Sequence, residues 1–381
     1  MKKPKNVVIV SHKFLNQPDD DLVLYLNKHK TNNVLFIRHS FSDANNRCSY
    51  YDWYKDGKLY LSERTKDFKK CPEPIIYLKE IFYTYKWILK SKIKWDYCIC
   101  MDGLLTFFTK YVNIFKKYNK LIFWVIDIVP EKRFKSKLKN NIYKLINRKA
   151  CYRADEIWDL SPRMDLIRKE LYGFKASDVS IHKFIQYGIW TGRIKKYPYK
   201  ACEKNNAVFM GHLLEKQGVQ LIIKAIPKII NKNPNFRLKI IGDGKYKPNL
   251  IELAQKLGVL KYCNFLGKED NPVKLENEIA KSCIAIAPYI KNLDTWTYYA
   301  DPGKIKKYIG SGVPVILTNV PWNAEEIEKN KCGLVIPEDE DELVKSIVFL
   351  MDSKNNQLYR NNAIKYSKTF DCNQVFEEIF K

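Results

Sequence analysis

Two doubly wound α/β domains are predicted by three features of the 381-residue sequence. Short apolar strands alternate with helical stretches in the first half, a polar linker follows, and the alternation then starts again. A chain of this length can bury a separate core in each of two domains. We therefore expect two parallel sheets covered by helices. Their ligand cleft should lie between the sheet edges, because ligands of such folds bind at the carboxyl ends of the strands.

The first predicted domain contains five buried strands, each followed by a helix or a loop. The predicted strands are residues 6–10, 34–38, 96–101, 121–126 and 155–160. The predicted helices are residues 19–27, 75–92, 104–117, 135–153 and 163–171. A polar loop that contains Arg47, Tyr50, Tyr51 and Trp53 leads into a short hairpin within residues 53–62.

A linker is predicted at residues 192–204, which are polar and basic, contain Pro198 and lack periodicity. The strands predicted after it are residues 207–210, 237–241, 263–266, 284–288, 313–316 and 334–336, and the main helices are residues 219–230, 249–257 and 340–351. We expect domains at residues 1–196 and 197–365. The amphipathic segment 366–381 is a candidate for packing back on the first domain.

The stretch ADPGKIKKYIGSGVPVI, residues 300–316, combines a tight loop, a short helix and the start of a buried strand. Pro302 suits the first helical turn, where a missing N–H costs little. Gly303 lets the backbone approach a ligand, and Lys304 adds a positive charge beside the unpaired N–H groups of the helix start. These features predict a seat for an anion such as a diphosphate. An ordinary α/β loop with solvated lysines explains the same residues.

The formal net charge of +25 narrows the classes of partner. Nucleic acid, an anionic membrane surface and phosphorylated small molecules all suit such a surplus, although a lysine-rich compositional bias also contributes. Helices at residues 77–95 and 135–149 interleave lysine with apolar side chains, which favours docking on an anionic membrane. A core face opposite a solvated lysine face explains the same pattern. Nucleic acid is disfavoured because no recognised motif accompanies the charge.

Targeting and metal-binding signals are weak in this sequence. The ten cysteines are scattered and form no C-x-x-C pair, which disfavours a zinc site or a disulfide framework. No apolar run reaches the ~20 residues of a membrane span, and the short apolar run near the N-terminus indicates a strand rather than a signal peptide. We expect a cytoplasmic protein, with peripheral attachment to the inner face of the membrane as a further option.

Four motifs of the second half occur in the order and spacing of a known family. They are Gly211-x6-Gly218-Val219 before a helix, KIIGDG, NFLG and PGKIKKYIGSGVPVI. Together they resemble the C-terminal half of the GT-B glycosyltransferases, in particular family 4, the retaining nucleotide-sugar enzymes. The first half resembles that family more loosely, through WVIDIVPEKRF and RADEIWDLSPRM. The resemblance implies an N-terminal acceptor domain and a C-terminal donor domain, facing each other across a cleft.

The resemblance also implies a set of donor-binding residues. The donor diphosphate would be held beside Gly211 by His212, by Lys216 and by the turn of Gly303 and Lys304. The family more often has Arg at the position of His212, and its lysine often stands directly before the following glycine. Departure of a nucleoside diphosphate builds negative charge, which preset cations and N–H donors stabilise.

The paired glutamates of the family would fall at Tyr299 and Lys307 in this sequence. The second of them accepts hydrogen bonds from the donor ribose, which a lysine cannot do. Asp294 and Asp301 are nearby carboxylates that could take over sugar or ribose contacts. Asp301 is therefore a candidate catalytic residue, and Asp294 and Lys307 are candidates for donor binding.

Candidate residues of the first domain follow its predicted strands. Asp127 is the second candidate catalytic residue, because the family often places a histidine or an acid there. It could orient the acceptor or contact the donor sugar, but a helix cap or turn cap explains it equally well. His12, Asp102 and Arg133 are further candidates for the acceptor side.

The function that the resemblance implies is transfer of a sugar from a nucleotide-sugar to a hydroxyl acceptor, with retention at the anomeric carbon. The expected enzyme is hexosyltransferase-like, of EC 2.4, and its acceptor is a lipid-linked or surface-glycan precursor. We expect no cofactor and no metal, because no DxD motif lies in a loop where a metal would be needed. The alternatives are a non-catalytic partner or scaffold of a glycan-assembly complex and a polyanion-binding protein.

Overall fold

The computed structural model describes residues 4–13, 18–40, 47–68, 71–128, 132–173, 181–293 and 295–380. These residues pack into two compact units. The first lies within Met1–Gln186 and Val375–Lys381, and the second within Tyr187–Gln374. The division by packing after Gln186 precedes the boundary at residue 196 that we predicted from the linker.

The first unit contains an eight-stranded sheet with the order β4-β3-β2-β1-β5-β6-β7-β8. The strands are β1 (Asn6–His12), β2 (Asn33–His39), β3 (Ser49–Lys55), β4 (Lys58–Arg64), β5 (Trp95–Cys100), β6 (Tyr118–Val125), β7 (Glu156–Asp159) and β8 (His182–Phe184). Strand β1 pairs parallel with β2 and β5, and the pairs β5–β6, β6–β7 and β7–β8 are also parallel. Strand β3 pairs antiparallel with both β2 and β4. Four successive residues of β1, from Val7 to Val10, are fully buried, as expected for a parallel strand covered on both faces.

The predicted hairpin is present but longer than expected. Tyr50, Tyr51 and Trp53, which we assigned to a loop, belong to β3. Asp56 and Gly57 join β3 to β4, and both have positive φ, which is the conformation that a tight hairpin turn requires.

The helices of the first unit cover the sheet. They are α1 (Pro18–Lys28), α2 (Glu73–Lys90), α3 (Gly103–Val112), α4 (Lys137–Arg153) and α5 (Arg163–Tyr172). The side chain of Ser136 caps the start of α4. The prediction of a helix over residues 77–95 is wrong at its C-terminal end. Helix α2 stops at Lys90, and Trp95 begins β5.

The second unit contains a six-stranded parallel sheet with the order β11-β10-β9-β12-β13-β14. The strands are β9 (Glu203–Met210), β10 (Arg237–Ile241), β11 (Cys263–Gly267), β12 (Ser282–Ala287), β13 (Val315–Thr318) and β14 (Gly333–Ile336). The helices are α6 (Val219–Lys232), α7 (Lys247–Lys256), α8 (Pro272–Lys281), α9 (Thr295–Tyr299), α10 (Gly303–Gly310), α11 (Ala324–Lys329), α12 (Glu340–Met351) and α13 (Ser353–Ser367). The order of strands changes direction beside β9 and β12, which is where ligands of such sheets bind.

The chain ends in α14 (Cys372–Ile379), whose aromatic side chains contact the first unit. The ring of Phe376 lies 5.5 Å from Tyr25, and the ring of Phe380 lies 5.6 Å from Tyr97. Among the described residues, no helix has the length and apolar character that crossing a membrane requires.

Candidate functional site

Two glycine-containing loops meet at the carboxyl end of the sheet in the second unit. Gly211 follows β9 with φ 147° and Gly242 follows β10 with φ 144°. A Cβ on Gly242 would lie 1.9 Å from the carbonyl oxygen of Gly211, and a Cβ on Gly244 would lie 2.4 Å from the carbonyl oxygen of Leu213. Only glycine fits such close approaches of backbone to backbone. The motifs GH and GDG therefore build one continuous loop surface.

The ammonium group of Lys304 lies beside this surface. A Cβ on Gly211 would be 3.2 Å from Lys304 Nζ. The same ammonium is 4.4 Å from the ring centroid of Phe209 and 4.6 Å from that of Tyr289. It donates a hydrogen bond to Oε1 of Gln217. The aromatic faces and the amide oxygen hold the positive charge at the carboxyl ends of β9 and β12.

Gln217 occupies the position where the resemblance described above would often place a lysine. The side-chain amide of Gln217 accepts a hydrogen bond from Lys304, which is a lysine of helix α10. Lys216, one residue earlier, is half-buried, and its Nζ lies 5.1 Å from the ring centroid of Trp296. The next residue, Gly218, has φ 74°, and a Cβ there would lie 1.6 Å from the carbonyl oxygen of Pro288.

The first turn of α10 begins at Gly303 and is preceded by Pro302, which provides no side-chain cap. Tyr308 fixes this helix to the end of β9, because its hydroxyl accepts a hydrogen bond from the backbone N–H of Met210 at 2.6 Å. Tyr308 is fully buried. The helix start, Lys304 and Gly211 are therefore held together by packing inside one unit.

Asp301 lies inside the fold and is only 5% exposed. Its Oδ2 accepts a hydrogen bond from the backbone N–H of Tyr187 at 2.6 Å, and its Oδ1 accepts one from Trp322 Nε1 at 3.1 Å. Lys306 Nζ is 3.6 Å from Oδ2, and Lys306 is itself 1% exposed. These contacts support a role for Asp301 in positioning the turn before α10, and direct contact with substrate stays a prediction.

Burial changes the pKa values of Asp301 and Lys306 more than their mutual attraction does. Burial raises the pKa of Asp301, and the charge of Lys306 only partly opposes that change. Burial likewise lowers the pKa of Lys306, against the charge of Asp301. Nothing in the sequence distinguishes Lys306 from the other two lysines of α10, Lys304 and Lys307, as the internal one.

The other predicted donor residues lie around this loop surface or outside the description. His212 is exposed directly after Gly211, and Lys307 is half-buried on α10. Asp294 lies outside the described residues. Within the described part of the chain, no group of three or more His, Cys, Asp or Glu side chains is arranged to hold a metal ion. Donor binding without a metal remains a prediction.

A second polar cluster lies in the first unit, where β1 ends. His12 Nε2 is 3.2 Å from Oε2 of Glu80, a residue of α2 that is 1% exposed. Burial opposes the charged form of His12, but the hydrogen bond and charge of Glu80, together with the charge of Asp102, raise its pKa. Arg133 acts in the opposite direction. The predicted acceptor-side residues His12, Asp102 and Arg133 are therefore close enough to interact, and Glu80 joins them.

Sequence reasoning missed Glu80, because an acid in the middle of an amphipathic helix carries no signal of its partner. The neighbouring His39 differs from His12. It is fully buried between Ser49 Oγ at 2.8 Å and Thr84 Oγ1 at 2.9 Å, and burial lowers its pKa well below the ordinary value. Its role is structural.

The remaining candidates of the first unit have simpler surroundings. Asp102 caps α3, since its Oδ1 accepts hydrogen bonds from the N–H groups of Leu104 at 2.8 Å and Leu105 at 3.2 Å. Asp127 is exposed after β6. The cap of the following helix is Ser136, so Asp127 does not cap α4. Its predicted contact with substrate is still untested.

Comparison with solved structures defines the class of fold. A glycosyltransferase involved in lipopolysaccharide biosynthesis, WaaG, superposes with a TM-score of 0.65 at 16% identity, over 98% of this chain and 98% of the other. Anabaena Alr3699/HepE in complex with UDP gives a TM-score of 0.68 at 13% identity, again over 98% of both chains. The predicted fold class is confirmed: the chain has two Rossmann-like domains of the GT-B type.

The sequence comparisons match part of the chain to a family model and to several relatives. Residues 193–370 match the family of glycosyl transferases group 1. An uncharacterized glycosyltransferase of Methanocaldococcus jannaschii is 28% identical over 131 residues, which are 34% of this chain and 30% of that relative. The chain spans between 30% and 48% of the first three curated relatives that it matches. The resemblance to GT-B glycosyltransferases is thus supported at the level of group 1, while family 4 remains a prediction.

Proposed function

We propose that the protein transfers a sugar from a nucleotide-sugar to a hydroxyl acceptor. The observation that carries this proposal is the position of the Lys304 ammonium, 4.4 Å from Phe209 and beside the Cβ-less backbone of Gly211. A diphosphate bound there would contact the Lys304 ammonium, the backbone of Gly211 and the first N–H groups of α10. The match of residues 193–370 to group 1 glycosyl transferases covers these elements and supports the same function.

In the proposed reaction the bond from the anomeric carbon to the diphosphate oxygen breaks, and a bond to the acceptor oxygen forms. The acceptor proton passes to the departing diphosphate. Lys304 and the first turn of α10 stabilise the charge that develops on that diphosphate, and Lys216 and His212 are its further proposed contacts. Retention at the anomeric carbon, a hexosyl donor and the absence of a metal belong to this proposal. Asp127, Asp294 and Asp301 remain its candidate carboxylates.

The acceptor side is proposed to lie in the first unit, at the cluster of His12, Glu80, Asp102 and Arg133. The hydrogen bond and charge of Glu80 raise the pKa of His12 and so favour the protonated imidazole. A protonated ring can donate a hydrogen bond to an acceptor hydroxyl or to an anionic group on the acceptor. This suits a lipid-linked or surface-glycan precursor, which often carries phosphate.

Donor binding is tested by thermal unfolding of the full chain with UDP, GDP, ADP, CMP and their sugar conjugates at millimolar concentration. A ligand at ~100 times its dissociation constant adds ~2.7 kcal/mol of stability. The proposal predicts a shift with one nucleotide that disappears in Lys304→Ala. Lys224→Ala, which changes an exposed lysine of α6, is the matched control and should keep the shift. Absence of a shift with every nucleotide would refute the proposed donor site.

A non-catalytic scaffold is the second candidate, and Lys307 is the observation that favours it. Lys307 stands where the related enzymes hold the donor ribose through a glutamate, and it cannot accept a hydrogen bond. Lys307→Glu separates the two candidates. The variant should bind nucleotide more tightly if the site is degraded, and less tightly if the site has adapted to lysine.

A further inference from the structure

Helix α4 exposes a row of apolar side chains. Leu138, Ile142 and Leu145 are 68%, 47% and 52% exposed. Their spacing of three or four residues puts them on one face of the helix. Tyr152 continues that face and is also exposed. These four residues are called the apolar stripe below. A helix at the surface of a globular protein normally turns such a stripe towards the core.

The buried face of α4 combines two asparagines with two small side chains, Ala150 and Cys151. Asn140 and Asn147 are buried, and each satisfies its amide inside the fold. Asn140 Nδ2 donates to the carbonyl oxygens of Phe134 at 2.6 Å and Ser136 at 2.9 Å, and Asn147 Nδ2 donates to that of Tyr143 at 2.8 Å. An added Cβ on Gly103 of α3 would lie 2.3 Å from Asn147 Oδ1, so this face of α4 packs closely against α3. The outward position of the leucines is therefore built into the packing.

Cations surround the apolar stripe. The helix contains six Lys and Arg residues and no carboxylate. They are Lys137, Lys139, Lys144, Arg148, Lys149 and Arg153. All but Arg153 are exposed. The spacing places Lys137, Lys144 and Arg148 on one side of the stripe and Lys139 on the other, and it places Lys149 within the stripe between Leu145 and Tyr152. Apolar side chains along the centre with cations at the flanks are the pattern of a helix that lies in the interface of an anionic bilayer.

Helix α2 continues this surface. Lys139 Nζ forms an ion pair with Glu73 Oε2 at 2.9 Å, which joins the first turns of α4 and α2. Ile75, Leu78 and Phe82 are exposed on one face of α2. Of the predicted docking residues in α2, Trp87 and Ile88 are buried, whereas Phe82 is exposed on the same face as Ile75 and Leu78.

We propose that the outer faces of α4 and the first half of α2 form a surface that inserts into an anionic lipid bilayer. The apolar stripe enters the boundary between headgroups and acyl chains, and the flanking cations contact lipid phosphates. Each basic residue near such a surface adds ~1 kcal/mol of attraction. This surface does not depend on the proposed transfer reaction, so vesicle binding and donor binding succeed or fail separately.

The test is flotation of the full chain with vesicles of phosphatidylcholine, with or without about 30% phosphatidylglycerol. We expect binding to the anionic vesicles and about tenfold weaker binding by the double variant Ile142→Asp and Leu145→Asp. Val273→Asp together with Leu358→Asp is the matched control, because both side chains are exposed in the second unit. This control should bind as the wild type does.

A second variant separates insertion from electrostatic adsorption and does not require an added charge. Leu145→Trp should show tryptophan quenching by brominated lipid in excess of the wild type. Wild-type protein that fails to bind anionic vesicles would overturn the proposal. So would binding that the aspartate pair leaves unchanged, or binding without extra quenching of Leu145→Trp.

Discussion

The buried pair of Asp301 and Lys306 gives a prediction whose size follows from the structure. In Lys306→Met, the Asp301 carboxylate loses the cation 3.6 Å away and keeps its place at 5% exposure. Removing one partner of a buried ion pair typically destabilises a protein by about 3–5 kcal/mol. For a unit of this size that corresponds to a fall in Tm of about 6–20 °C. Replacing both partners, in Asp301→Asn with Lys306→Met, should restore most of the loss, because burial disfavours each charge even in the pair.

The pH dependence of this loss has a defined sign. Burial raises the pKa of Asp301 above that of the unfolded chain, and the loss of Lys306 should raise it further. A carboxyl of this kind binds a proton more tightly when folded. The Lys306→Met variant should therefore be nearest to the wild type below pH 3.8, the ordinary value for Asp, and should lose stability as the pH rises through the folded pKa of Asp301.

The assay is urea unfolding combined with hydrogen exchange of the α10 amides, which reports on the second unit even if the two units unfold separately. Lys224→Met is the control for loss of an exposed lysine from the same unit. A Lys306→Met variant within about 0.5 kcal/mol of the control would refute the reasoning. A double variant less stable than both single variants would refute it as well.

Two further predictions concern the loop surface and the polar cluster around His12. Gly242→Ala should destabilise the second unit by more than Gly258→Ala, measured by thermal unfolding. A Cβ at Gly242 would lie 1.9 Å from the Gly211 carbonyl oxygen, whereas Gly258 has φ 66° and no atom within 4 Å of its added Cβ; equal losses would contradict the close approach. Glu80→Gln should lower the pKa of His12 in an NMR titration of the five histidines, and should remove stability that the pair supplies below pH 6.5 and loses as the pH rises through the folded pKa; an unchanged titration would contradict the ion pair.

The sequence predicted the parts of the candidate site that depend on local backbone requirements. Gly211 and Gly242 stand where loops touch, and Gly303 opens a helix, so each glycine motif marks a constraint that any chain of this fold must meet. Lys304 could be predicted for the same reason, because it lies next to such a glycine at a helix start.

The parts that the sequence did not predict depend on partners far along the chain. Lys304, Lys306 and Lys307 are chemically alike, and Lys306 is internal because it packs against Asp301 and the rings of Trp322 and Phe370. Glu80 of α2 is a candidate only because it contacts His12, which lies on β1.

Helix α13 was missed because its buried face is polar. Arg360 is 1% exposed and donates from Nη2 to the carbonyl oxygen of Ser282 at 2.8 Å, and Asn356 donates to that of Cys283 at 3.0 Å. A search for apolar periodicity does not find such a helix. Helix α4 has an apolar periodicity that correctly predicts a helix, but the apolar face is exposed rather than buried.

The central claim is that Lys304 holds the diphosphate of a nucleotide-sugar during transfer. Its most direct test is release of the nucleoside diphosphate from the donor found in the thermal screen, measured by mass spectrometry with and without a membrane extract as acceptor source. The account predicts release by the wild type and by Lys224→Ala, and release that is slower by about 10²-fold or more in Lys304→Ala. Donor that binds but releases no nucleoside diphosphate under either condition, or release that Lys304→Ala leaves unchanged, would contradict it.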